Sequence, residues 1–436
     1  MPRLDVTQRW RDRTTSFCSR RITPFWCWVS WVCSAILFVV IVQLLGGPTF
    51  NDAEVSFYAT LAIAHGNIAC AYPPNFDSIY QIPLTAPVYP LLSGGLAALA
   101  RVGHNFPFPS ASVMGRHCVN ALGPIETWSD HRGISQQTLE IGYVSWIVLA
   151  SGCVGLLRAF GKGLSAREPL ALFALALCPP VFAGLEQYFH PQDLIAIGLC
   201  LWALAALLKE RWAWLGVLLG IAFFSQQFSI LVALPLLLLV PSRHKVTALS
   251  ALVVTAIVIV VPLAILTDGR SLASSFIGTA LYPETPGDLL WELHVGNTVA
   301  AGLERLCPIV GSVLLTLWAK RRFLDAVLES ATLLSLVATA LSLRLVFEER
   351  VWAYYFLAGA VVLVVRYVLE SRVSVAFLGW LVVLIVVFNP ISQWADGLQL
   401  SQWAEQVITV PPLVMLSAAP LFVGVRAGPR AEPARY

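Results

Sequence analysis

Charge is scarce in this chain. Only 12% of its 436 residues are Asp, Glu, Lys or Arg, where a soluble domain carries about 25%. That shortage excludes an ordinary water-soluble globule. Lysine is scarcer still, 4 against 24 arginines, a bias that goes with a GC-rich genome and hence a bacterium. Metal-site spacings such as CxxC and HExxH are absent, so no dedicated metal cluster and no cofactor is expected. No small-residue cleavage site follows the Arg-rich first 25 residues, so the first apolar run reads as a retained span. No internal repeat is visible, which argues against an inverted-repeat transporter.

What is abundant is apolar sequence, 58% of the chain, in blocks of about 17–23 residues. A block of ~20 crosses a bilayer as a helix. Spans are expected at 26–46, 140–160, 168–186, 192–208, 246–267, 298–318, 327–346, 351–367, 373–391 and 409–425. Residues 212–240 differ, because Ser225, Gln226 and Gln227 interrupt them; a broken hairpin is the better reading there. The expected fold is therefore all-α and polytopic, about 10 full transmembrane helices plus the broken hairpin. A single membrane domain over 26–425 lies between tails 1–25 and 426–436.

Arginine and lysine orient this layout. With the N-terminus in the cytoplasm, 21 of the 28 Lys and Arg fall on the inside, a strong positive-inside bias. Both tails are then cytoplasmic, and the +3 balance gives no reason to expect nucleic acid. Six of seven histidines and 17 of 25 acidic residues fall outside or at the outer rim, so the outer face is expected to do the work. Three outer segments are long: 47–139, 268–297 and 389–408. The first is expected to carry helices at about 52–65 and, interfacial, 87–101. Of nine cysteines only Cys70 and Cys118 lie in that loop, where an oxidising compartment would let them pair.

Candidate chemistry begins just after the first span, at GGPTFNDAEVSFYATLAIAHGN. Asp52 and Glu54 stand at the start of a helix ending near Gly66. Plain capping explains both: Asn51 as cap, Glu54 as the capping-box acid, Asp52 favouring the positive helix end. Arg344 lies within apolar sequence near the outer rim, where an ionisable group is costly and is usually functional or paired. Arg350 follows in the same RLVFEER stretch, which also reads as a solvated turn. His190 and Asp193, in a His-Pro-Gln-Asp turn, suit hydroxyl binding or helix capping. His294 is a weaker candidate, and Gln226 and Gln227 mark the broken segment. Trp291, Trp352, Tyr354, Tyr355, Trp394 and Trp403 lie on the outer side, where aromatic rings stack on sugars.

An acid directly after the first span, then an aromatic-containing helix ending in Gly, resembles the first outer loop of the GT-C superfamily of polyprenyl-phosphate-sugar-dependent glycosyltransferases. Tyr72-Pro73-Pro74, the stretch Pro87–Leu92, the polar turn at His190–Asp193 and Leu218–Ala222 followed by Leu234-Pro235-Leu236 are similar to that family's motifs in the same order. Gln226 and Gln227 stand where many relatives carry lysine or another polar residue. The likeness covers about residues 26–245 and is closest to bacterial enzymes using polyprenyl-phosphate mannose or arabinofuranose.

The resemblance implies an inverting transfer of one sugar from an outer-leaflet lipid phosphate to a hydroxyl of a glycolipid, glycan or protein. Asp52 would be the base, with Glu54 in reserve. Arg344 or Arg350 would meet the departing phosphate. His190, Asp193, Gln226, Gln227 and His294 would bind donor or acceptor. Some enzymes of that superfamily use a metal, but the sequence shows no dedicated ligand cluster. Two other classes fit many spans and large outer loops: a lipid or sugar transporter, and a glycan polymerase or ligase.

Overall fold

The computed structural model describes residues 51–73, 86–100, 118, 133–161, 189–277, 295, 297–347 and 353–369, and 410–411, 413–415, 417–419 and 421–422. Among these residues every regular element is helical. The chain forms α1 (Asn51–Ala64), α2 (Val88–Ala100), α3 (Gly133–Ala159), α4 (Pro191–Leu208), α5 (Trp212–Ser225), α6 (Ile230–Leu239), α7 (Ser242–Leu266), α8 (Gly269–Ile277), α9 (Asn297–Phe323), α10 (Ser330–Phe347) and α11 (Leu357–Leu369). Short 3-10 turns lie at Ile68–Cys70, Gln227–Ser229, Leu324–Leu328 and Ala353–Phe356.

Among the described residues four helices are long and apolar enough to cross a membrane: α4, α7, the Gly302–Phe323 part of α9, and α10. Of the roughly ten spans expected from the sequence, several fall wholly or partly outside the described residues, and two described helices have short apolar parts. Gln136, Gln137 and Glu140 occupy the start of α3, so its apolar part is only Val144–Ala159. A 3-10 turn takes up the approach to α11, leaving it 13 residues. The expected spans at 26–46, 168–186 and 373–391 lie outside the described residues.

Close helix contacts fix the directions. A Cβ on Gly142 would strike the Phe189 ring, one on Gly152 the Gly198 carbonyl, and one on Gly155 the Trp202 indole. Rising numbers meet rising numbers, so α3 and α4 run parallel, drawn together by small residues. Gly216 meets Ala248 and Gly220 meets Thr255, so α5 and α7 are also parallel. The α5–α6 segment turns back on itself: Trp212 at its start stacks on His244 beyond its end, ring centroids 5.2 Å apart. Lys320 Nζ donates to the Leu238 carbonyl at 3.0 Å, bringing the end of α9 to the end of α6. From there α10 returns, and Gly359 of α11 packs on Ser342.

One end of the bundle thereby collects Arg158, Lys209, Arg211, Arg243, Lys245, Lys320, Arg321, Arg322 and Arg366. The opposite end carries the start of α4, the α5–α6 elbow, the end of α10 and the start of α11. Helix α4 is the inner post, with 83% of its apolar window buried, whereas α7 is peripheral at 6%. Val253, Ile257, Val258 and Ile265 leave the outside of α7 apolar, as a lipid-facing helix requires.

A second, smaller cluster caps the far end of α7. Tyr58, Leu61, Tyr72, Leu263 and Leu272 pack around a disulfide between Cys70 and Cys118, whose Cα atoms are 5.4 Å apart. The Tyr58 hydroxyl donates to the Cys118 carbonyl at 2.6 Å. Burial pushes the Tyr72 phenol well above its ordinary pKa. Helix α1 packs on α2, where Thr60 Oγ1 and Ser93 Oγ share a 2.6 Å hydrogen bond.

Candidate functional site

The polar residues of the elbow explain its shape. Gln226 is extended, and its side chain accepts from the Gln227 N–H at 3.1 Å. Ser229 Oγ donates to the carbonyls of Ala222 at 3.0 Å and Gln226 at 2.7 Å. Ser225 Oγ donates to Ile221 O at 2.9 Å. Backbone groups freed by the break thus find partners inside the protein, the condition for breaking a helix in an apolar setting.

The elbow reaches two neighbours. Gln226 Nε2 donates to Asp193 Oδ1 at 2.6 Å, tying it to the first turn of α4. Asp193 is buried, only 3% exposed. Gln227 Nε2 donates to the Ser275 carbonyl on α8 at 3.0 Å. Phe223 and Phe224 pack against Phe276 beside that bond. Helix α8 is itself held by Asp268, which caps Ser271 N–H at 3.0 Å and whose own N–H donates to Tyr72 O at 3.2 Å. Ser271 Oγ donates to Pro73 O at 2.6 Å. An unbroken chain of contacts therefore runs from the disulfide cluster through α8 and the elbow to Asp193.

Across from Asp193 stands Arg344, near the end of α10. Its guanidinium carbon lies 4.4 Å from the Tyr355 ring centroid and 5.7 Å from that of Phe228, both within cation–π range. Asp193, Arg344, Tyr355, Phe228, Leu357 and Ala358 line a narrow crevice that is open on one side. The crevice touches the starts of α4 and α11 and the turn leading into α6, and helix starts favour negative charge. Directly adjoining it is a narrow, wholly apolar recess between α4, α6, α10 and α11, wide enough for little more than one small group as it stands. The two spaces share Ile197, Phe228 and Leu341 as walls.

Of the expected site residues, the structure brings together Asp193, Gln226 and Arg344, with Gln227 one residue away. His190 sits at the start of α4, half-buried, its Nδ1 2.9 Å from Gln192 Nε2. Phe189 precedes it with φ of 53°, an uncommon conformation for a large residue, and its ring meets Tyr89 edge-on at 6.1 Å. Asp52 and Glu54 lie in the first turn of α1; their side chains, with Arg350, His294, Trp291, Trp352, Trp394 and Trp403, lie outside the described residues, as does the Tyr354 side chain. Sequence reasoning missed Phe228, Ser229 and Ser275. Phe228 reads as one more apolar residue, Ser229 acts through a hydroxyl given to backbone carbonyls, and Ser275 through its own carbonyl. Among the described residues no group of three or more His, Cys, Asp or Glu is placed to hold a metal ion.

Neither a family model nor a curated protein matches this chain.

Proposed function

We propose that the chain is a membrane glycosyltransferase of the GT-C kind, inverting the anomeric centre as it moves one sugar from a polyprenyl phosphate to a hydroxyl of a glycolipid, glycan or protein. The observation that carries this reading is the pairing of Arg344 with an apolar recess that shares its walls. A cation flanked by helix starts suits a phosphate, and an apolar slot beside it suits the first carbons of a lipid chain. Such a ligand is amphiphilic, with its charge at the rim of an apolar bundle.

The chemistry asks little more of the protein. The leaving group already carries charge, so Arg344 stabilises what develops as the anomeric bond breaks. The motif resemblance assigns Asp52 to take the proton from the attacking hydroxyl, with Glu54 as alternative. Arg350 and His294 remain proposed donor contacts on the same resemblance. His190 and Asp193 are proposed to bind sugar hydroxyls, and Gln226 and Gln227 to hold the elbow. The reaction as written requires no metal or cofactor.

The site end is proposed to face the periplasm or cell exterior and the basic end, with both tails, the cytoplasm. Two independent features support this: the Lys/Arg cluster follows the positive-inside rule, and the Cys70–Cys118 disulfide belongs to an oxidising compartment. A transporter is the second reading, favoured by the broken α5–α6 hairpin. Against it, the elbow amides are engaged by Asp193 and Ser275 within the protein.

Titration of decaprenyl phosphate into the protein in lipid nanodiscs tests the site. Arg344→Ala should weaken binding about tenfold or more, the scale of a charge-assisted contact of ~1.5–3 kcal/mol. Unchanged binding in a folded Arg344→Ala variant would remove the basis of the proposal.

A further inference from the structure

The first turn of α4 holds a polar group that the crevice does not use. Gln192 is 4% exposed, and among the described residues no donor reaches its Oε1. Its other end is committed, since Nε2 lies 2.9 Å from His190 Nδ1. With His190 Nδ1 as the acceptor of that bond, the amide carbonyl is the group left over. A buried acceptor without a partner costs about 1–3 kcal/mol, so an orphan in a packed helix start calls for an occupant.

We infer that Gln192 Oε1 is the hydrogen-bond acceptor of a hydroxyl-binding subsite at the start of α4, next to the Arg344 crevice. The inference rests on the glycosyltransferase reading above and deepens it by naming a specificity residue for a sugar hydroxyl. Chemistry narrows the ligand group. A phosphate or carboxylate oxygen would set acceptor against acceptor at Oε1. An ammonium would carry a full charge into a buried turn, which is costly. An uncharged donor remains, and on a sugar that is a hydroxyl. Residues 192 and 193 differ by about 100° around α4. Asp193, which lines the Arg344 crevice, and Gln192 therefore stand on neighbouring faces of the same helical turn.

The test uses the full chain in lipid nanodiscs, with hexyl mannopyranoside and hexyl arabinofuranoside as probes, each beside its monodeoxy analogues, by calorimetry. The wild type should bind one parent glycoside roughly 3- to 10-fold more tightly than one of its deoxy analogues, the ratio expected of one net hydrogen bond. Gln192→Met keeps the shape and removes the acceptor. It should unfold at the same temperature as wild type or higher, and bind parent and deoxy glycoside alike. Unchanged discrimination in Gln192→Met would overturn the inference, because a water would then be the occupant. A wild type indifferent to every deoxy position also overturns it, with no variant required. If decaprenyl phosphate still binds in that case, only the subsite falls; if it does not, the glycosyltransferase reading falls with it.

Discussion

Arg344 owes its setting to two rings and an acid. Tyr355 and Phe228 cover its guanidinium plane, and Asp193 lines the same crevice. A planar cation stacked on aromatics is not matched by an ammonium. Arg344→Lys should therefore lose most of the decaprenyl phosphate affinity that Arg344→Ala loses, and near-wild-type binding would mean that charge alone matters. Gln226 is the other informative side chain, because it bonds both Asp193 and the Gln227 N–H. Gln226→Leu removes a partner from each and should cost about 1–3 kcal/mol in denaturant unfolding. Arg344 was legible in the sequence because a cation in an apolar run has few excuses. Gln192 was not, since nothing in the string HPQD tells which of its polar atoms packing leaves without a partner.

At the scale of elements, the α3–α4 crossing and the elbow set the frame. Gly152 lies so close to the Gly198 carbonyl that any side chain forces the helices apart. Gly152→Val should destabilise by about 1–3 kcal/mol, read as a lowered unfolding temperature. It should also displace Phe189 and His190 with the start of α4. The tight α4–α5 turn offers the reverse experiment. Glu210 is exposed with φ of 54° and is not glycine, so Glu210→Gly should raise stability by up to about 1 kcal/mol. A lower unfolding temperature would contradict that reading of the turn. The elbow could be read from Ser225, Gln226 and Gln227, because three polar residues in an apolar stretch demand a break. Helices expected at 52–65 and 87–101 lie at Asn51–Ala64 and Val88–Ala100 for similar reasons of capping and periodicity. The glycine contact could not be read: residues 152 and 198 are distant in sequence, and a lone glycine carries no sign of its neighbour.

For the whole molecule, the proposed orientation places the disulfide cluster outside the cell membrane and the basic end within. In intact cells, a membrane-impermeant maleimide should label Cys70 and Cys118 only after treatment with an impermeant reductant. Labelling of both without reduction would contradict the pairing. The basic end was legible because Arg158, Lys209, Arg211, Arg243, Lys245, Lys320, Arg321, Arg322 and Arg366 sit at or near helix ends that the helix directions carry to one side. Where a span is short was less legible, because hydropathy does not reveal where a polar first turn, as in α3, shortens the apolar part of a helix. The link from α1 through the disulfide cluster and α8 to Asp193 also lay beyond the sequence, since it is made largely of bonds to backbone carbonyls.

The proposed activity is transfer of a sugar from a lipid phosphate with Asp52 as base. The direct measurement is transfer by the protein in nanodiscs, given polyprenyl-phosphate mannose and polyprenyl-phosphate arabinofuranose with lipid and glycan acceptors, beside Asp52→Asn of equal thermal stability. The account predicts product of inverted configuration from wild type and a rate lower by at least about 100-fold from Asp52→Asn, the range of general base catalysis. Full activity in Asp52→Asn, or passage of an unmodified substrate across the bilayer with no sugar transferred, would contradict it.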